Sequence, residues 1–176
     1  MEIIIYGSKY GTAQQYAEEL SKRTNIKAEN YQNIKDINEY KVIIYIGALY
    51  VGGVLGMSKT FKNLSEIKNK KILIATVGLS NPDDIENINN IKNSMKKQLS
   101  NGIYENAYIY HLRGGMDYSK LNFTHKTMMN LLYKKAKKLP EEKKTAEVKE
   151  MLDTYNKKVN FIDFSSLDNI INKIQN

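Results

Sequence analysis

The stretch EIIIYGSKYGTAQQYAEEL, residues 2–20, carries three signals in one short span. Ile3, Ile4 and Ile5, continued by Tyr6, form an apolar β-branched run of strand length. Ser8 to Ala13 is a hydroxyl-rich turn with one glycine. From Ala13 to about Arg23 the apolar residues Tyr16, Ala17 and Leu20 recur at helical spacing. A strand that ends in such a turn and opens into a helix aims the loop's backbone N–H groups and the free amides of the first helical turn at one point. The turn lacks the Gly-Lys-Ser/Thr ending of a nucleotide P-loop and the three spaced glycines of a dinucleotide fingerprint. It offers a neutral cradle that suits a phosphomonoester better than a diphosphate.

The same alternation continues along the chain. Val42 to Ile46 and Ile72 to Val77 are continuously apolar, as expected of strands covered by helices on both faces. Ala107 to Tyr110 is a further strand, and Ile26 to Tyr31 a weaker one. Helical segments are expected over Ser58 to Ile67 and Asp83 to Leu99, with Asn81-Pro82-Asp83 read as a turn plus the start of the second, Pro82 in its first turn. Strands alternating with helices argue for an α/β fold with a parallel sheet and right-handed crossovers. The charged segment 134–152 reads as a solvated helix or a loosely packed excursion. Residues 159–174 close the chain with a short strand, a cap at Ser165 or Ser166 and an amphipathic helix. A length of 176 residues fits a single domain over 1–176.

Composition narrows the chemistry. There is no cysteine, and the two histidines, His111 and His125, stand in unlike contexts. That excludes a disulfide framework, a thiolate metal centre and a cysteine nucleophile, and no metal site is expected. The formal net charge of +8 points to an anionic partner: an acidic protein, a membrane surface, an acidic small molecule or a nucleic acid. No nucleic-acid motif or aromatic–basic interleaving accompanies the charge, so nucleic acid is not expected. No leader-like segment and no apolar run near the roughly 20 residues of a membrane span is present, and a cytoplasmic protein is expected.

In a doubly wound fold, ligands sit beyond the carboxyl ends of the strands. The loop Ser8-Lys9-Tyr10-Gly11-Thr12-Ala13, with its Ser-x-x-Gly-Thr-Ala pattern after an N-terminal strand, resembles the phosphate loop of the flavodoxin family. GALYVGG, 47–53, and TVGLSNPDD, 76–84, stand where that family places the loops that cover the two faces of its flavin. The resemblance spans essentially the whole chain and is closest to the flavodoxin-domain branch that includes menaquinone-dependent protoporphyrinogen dehydrogenase. It rests there on the second loop, on 113–138 and on 161–174.

The resemblance implies a flavodoxin-like doubly wound three-layer sandwich whose five parallel strands run in the order 2-1-3-4-5. It implies non-covalent FMN, with Ser8, Lys9, Tyr10, Gly11, Thr12 and Ala13 on the phosphate. Leu49, Tyr50, Val51, Gly52 and Gly53 would cover one side of the ring, and Gly78, Leu79, Ser80 and Asn81 the other. Gly52 or Gly53 would supply a peptide able to turn its carbonyl toward the flavin. Arg113 and Gly114, after the fifth strand, stand where a substrate pocket would open, and Arg113 is read as a fork for a substrate carboxylate. The implied role is electron transfer through the flavin, with a redox partner protein. The alternative is an oxidoreductase of the protoporphyrinogen dehydrogenase type with its own anionic substrate, a porphyrinogen or quinone, and peripheral contact with an anionic membrane along Tyr133–Lys144. Carrier flavodoxins are generally acidic. The basic character of this chain predicts a positive flavin environment that favours the reduced, anionic flavin.

Overall fold

The computed structural model describes residues 1–50 and 52–176. In chain order, strand β1 (Glu2–Gly7) leads into helix α1 (Thr12–Thr24), followed by β2 (Ala28–Asn30) and β3 (Val42–Tyr50). The short β4 (Gly53–Val54), α2 (Met57–Phe61), β5 (Lys71–Gly78), α3 (Ile85–Gln98), α4 (Asn101–Asn106) and β6 (Ala107–Arg113) come next. β7 (Gly115–Asp117), α5 (Phe123–Lys137), α6 (Ala146–Thr154), β8 (Lys158–Asn160) and α7 (Asp168–Gln175) complete the chain.

The central sheet runs β2-β1-β3-β5-β6, all parallel, with β4 hairpinned antiparallel onto the end of β3. Counted over the five parallel strands this is the expected order 2-1-3-4-5. The period-2 alternation of each strand divides its side chains between two layers. Ile3, Ile5, Ile43, Tyr45, Ile72 and Ile74 pack with Met57, Phe61, Ile91, Met95 and Ile103 from α2, α3 and α4. Ile4, Ile44, Ile46, Leu73 and Val77 pack with Tyr16, Ala17 and Leu20 of α1 and with Leu167 and Ile170 beside and in α7. Both sheet faces are thereby covered, which is why the strands read as unbroken apolar runs.

Several boundaries differ from the sequence reading for identifiable reasons. The expected helix Ser58–Ile67 is one short helix, α2, and a separate 3₁₀ turn at Ile67–Asn69, because Glu66 adopts a left-handed conformation (φ 53°). Pro82 lies before α3 rather than in its first turn, and Asp84 caps that helix by accepting from the Asn87 N–H. The cap near the end of the chain is Asp163, whose carboxylate accepts from Ser165 N–H. The strand near residue 159 does not join the central sheet; β8 pairs antiparallel with β7. The charged segment 134–152 ends α5, turns after Pro140 and forms most of α6. A third apolar cluster, Met116, Tyr118, Leu121 and Met129 with Met128, Met151 and Tyr155 against it, ties this excursion over the carboxyl ends of the strands.

Candidate functional site

That excursion roofs a cavity of about 540 Å³ at the carboxyl ends of β1, β3 and β5. The size lies within the usual range for ligand sites. Its floor is made of the strand-end loops. Ser8, Tyr10 and Thr12 line it from the first loop, Leu49, Tyr50, Gly52 and Gly53 from the second, and Gly78 and Leu79 from the third.

The first loop ends at Gly11, whose φ of +88° permits the turn into α1 without the steric penalty a side chain would meet. No side chain caps the helix, so the amides of its first turn are free of protein acceptors of that kind. The Thr12 hydroxyl donates to the Gly115 carbonyl at 3.0 Å, stitching this loop to β7. Ser8 Oγ and the Tyr10 hydroxyl are buried and, among the described residues, have no hydrogen-bond partner. Burial, and then neighbouring Tyr50, raise the Tyr10 phenol pKa, so the group is a neutral donor. Its ring meets Tyr50 edge-on at 6.5 Å and His125 at 5.7 Å. Lys9, Gly11 and Ala13 do not line the cavity: the Lys9 ammonium sits 5.4 Å from the centre of the Tyr50 ring, and Ala13 lies on the buried face of α1.

Tyr50 forms part of the cavity wall, its hydroxyl donating to Met128 Sδ at 3.8 Å. Val51 lies outside the described residues. Side chains of α3 hold the second loop: the Ser94 hydroxyl donates to the Gly52 carbonyl, and the Gln98 amide bonds both the N–H and the carbonyl of Val54. Gly78 lets the second and third loops meet, since a Cβ there would lie 2.7 Å from Leu49 Cδ1. Ser80 is buried behind the cavity wall, its hydroxyl donating to the Glu147 carboxylate. Asn81 is outside the cavity lining and shapes the turn before α3, its carbonyl accepting from Asp84 N–H at 3.2 Å.

Gly114 lines the cavity, but the Arg113 side chain does not. Its Nε donates to the Leu79 carbonyl at 2.9 Å, its terminal nitrogen pairs with Glu150 at 3.2 Å, and the guanidinium lies 3.7 Å over the Phe161 ring. His111 also points away, Nδ1 meeting the Thr76 hydroxyl at 2.8 Å. Burial, aided by Lys92, pushes its pKa down to about 4, which leaves the ring neutral at pH 7.

Other lining residues were not among the candidates read from sequence. α3 contributes Asn87, Asn90, Ile91 and Ser94, α5 contributes Met128, Met129 and Leu132, and Thr145, Glu147, Val148 and Met151 come from α6 and its cap. Their signal in the sequence is faint: Asn87, Ile91 and Ser94 share a helical face, as do Val148 and Met151. Among the described residues Glu147 is the one charged side chain that lines the cavity. Its carboxylate accepts from Leu79 N–H at 3.4 Å and Ser80 N–H at 3.3 Å as well as from the Ser80 hydroxyl.

The arrangement suits a flat, largely apolar ligand with a polar tail: an apolar chamber, tyrosine edges, and a helix start preceded by a loop that carries two unpartnered hydroxyls. No curated protein matches the chain. The family model described as a flavodoxin domain matches residues 3–145, which takes in all three loops and the whole parallel sheet. Fold, strand order and this match agree, and the chain belongs to the flavodoxin-domain family, a family of flavin-binding redox proteins.

Proposed function

We propose that this protein binds FMN non-covalently and transfers electrons through it. The observation that carries the reading is the pair of buried, unpartnered hydroxyls of Ser8 and Tyr10 on the loop that leads into the open start of α1, both residues lining an apolar chamber. Buried hydroxyls without partners are uncommon and costly, and a bound phosphate would satisfy both. The first loop, through Ser8, Tyr10, Thr12 and the amides that precede and open α1, would hold the phosphate. Tyr50 and Leu49 on one side and Gly78 and Leu79 on the other would flank the ring. Bound there, the cofactor supplies the redox chemistry, while the protein supplies position and exclusion of water.

A second reading, an oxidoreductase with its own organic substrate of the quinone or porphyrinogen class, is favoured by one feature. A carrier needs only an exposed flavin edge. Here Met128, Met129, Leu132, Val148 and Met151 wall the chamber on the outer side. Arg113 would have to leave Glu150 and Phe161 to meet a substrate carboxylate. On the first reading, the partner is a redox protein.

The test is titration of the purified apoprotein with FMN, riboflavin and FAD, followed by quenching of flavin fluorescence by the cavity tyrosines. FMN should bind most tightly, riboflavin at least tenfold more weakly because it lacks the phosphate, and FAD more weakly than FMN because the loop has no spaced glycines for a diphosphate. Equal affinity for FMN and riboflavin would remove the phosphate assignment. Turnover of a menaquinone analogue or of protoporphyrinogen by the FMN-loaded protein decides between carrier and enzyme.

A further inference from the structure

The charge of the cavity has the opposite sign to the charge of the protein. The chain carries a net charge of +8, yet among the described residues no lysine or arginine lines the cavity, and the charged side chain that does is Glu147. Its bonds come from neutral groups, the two amides and one hydroxyl of Leu79 and Ser80, and no cation pairs with it among the described residues. Arg113 of β6 pairs with Glu150, and Lys144 and Lys149 of the excursion pair with Glu141. Three donors fix the carboxylate in the wall without supplying a counter-charge. Glu147 also lies just beyond the span that matches the family model, 3–145.

From this we infer that Glu147 is a selectivity residue of the cavity: a fixed negative charge held against the third loop that lowers affinity for a ligand whose ring carries negative charge relative to one whose ring is neutral. The inference rests on the flavin reading given above. For a flavin, the disfavoured form is the reduced, anionic one, so Glu147 keeps the reduction potential low. This opposes the positive environment that net charge alone predicts. The reason is distance and dielectric: a half-buried carboxylate in an apolar wall acts at short range through little water, whereas surface lysines act through solvent and are screened.

Glu147→Gln keeps the shape and an oxygen acceptor for Leu79 and Ser80 while removing the charge. The measurement is the ratio of dissociation constants for oxidised and reduced FMN, taken anaerobically at low and high salt, with apoprotein melting as a check on folding. The ratio should move at least tenfold toward the reduced form in Glu147→Gln, equivalent to a rise of about 30 mV for a two-electron couple. The shift should persist at high salt, and Glu147→Asp, which retains the charge, should stay near wild type. A loop merely displaced by the substitution would change both affinities together and leave the ratio alone. A ratio within twofold of wild type, with both forms still bound, overturns the role of Glu147 and leaves FMN binding intact. Failure of the wild-type protein to bind FMN at all overturns the flavin reading, and this inference with it.

Discussion

Replacing Arg113 by alanine should destabilise the folded protein by roughly 2 to 4 kcal/mol. The side chain joins three parts of the molecule that are distant in sequence: the third loop through the Leu79 carbonyl, α6 through Glu150, and the segment after β8 through the face of Phe161. A hydrogen bond from a charged donor contributes about 1.5–3 kcal/mol. The ion pair is partly exposed on both sides and contributes at most about 1 kcal/mol. Stacking over Phe161 adds about 0.5–1 kcal/mol. The backbone carbonyl of Arg113, which accepts from the Tyr16 hydroxyl at 2.7 Å, is untouched by the change, so β6 itself should stay in place. Urea unfolding gives the energy directly, and for a chain of this size a 3 kcal/mol loss lowers Tm by roughly 6–12 °C. Arg113→Lys retains the charge but neither the planar stack nor the fork, and should recover about half of the loss. Because the third loop forms one wall of the cavity, Arg113→Ala should also weaken FMN binding, an effect that a side chain reserved for substrate would not show. A variant within about 0.5 kcal/mol of wild type in stability, with unchanged FMN affinity, would refute this account.

Thr12→Val, nearly isosteric, removes the bond to Gly115 and should cost about 1 kcal/mol in urea unfolding of the apoprotein, with a further loss of FMN affinity if the hydroxyl turns to the phosphate on binding. His111 has a folded-state pKa of about 4, below its ordinary value of 6.5. The unfolded chain therefore binds the proton first, and the stability contributed by the neutral ring is fully present above about pH 6.5 and is lost as the pH falls toward 4. Allowing for partial solvent screening, the loss is about 1–2 kcal/mol, and His111→Gln should flatten that part of the pH–stability curve. Along α5, Phe123 (85% exposed) and Leu131 (60%) are outward-facing with Lys134, and exposed Lys138 follows the end of the helix, so the protein should co-sediment with vesicles rich in anionic lipid but not with neutral ones. That binding should weaken with salt and on Phe123→Ala.

The parts of the molecule that could be read from the sequence are those whose physics is local. The runs at Ile3–Ile5, Val42–Ile46 and Ile72–Val77 became the central strands, because an apolar β-branched run covered on both faces has no other stable use. The three loops that follow them meet at one cavity because a parallel sheet places all its strand ends on one edge. What escaped the reading depends on partners far along the chain. The Lys- and Glu-rich stretch 134–152 looks solvated by composition, yet Glu147 finds its acceptor role 68 residues away at Leu79. Arg113 beside two glycines looks free to meet a substrate, and its commitment to Leu79, Glu150 and Phe161 exists only after α6 and β8 have folded back. Ser80 and Asn81 follow the same rule: adjacent to lining residues in sequence, they are turned away by a carboxylate and by the turn before α3.

Two electric fields thus act on anything that approaches the cavity, and they work at different ranges. Between Tyr118 and Leu139 the chain has six lysines and no acidic residue, which places most of the excess positive charge on the roof of the cavity and the turns that flank it. That field reaches into solvent, would draw a negatively charged partner or surface to this face, and decays over a Debye length of about 8 Å at physiological salt. Glu147 acts from the cavity wall at short range, where a partly buried charge is screened less than a surface one. On the proposed function, a protein built in this way would gather negatively charged partners while disfavouring added negative charge at the bound ligand, so approach and electron affinity would be set by different residues. Salt therefore separates them: the rate of encounter with an acidic partner should fall with ionic strength, while the oxidised-to-reduced affinity ratio set by Glu147 should hardly move. A neutral quinone would show neither dependence in its encounter step, so salt dependence of that step alone distinguishes an acidic partner from an apolar substrate.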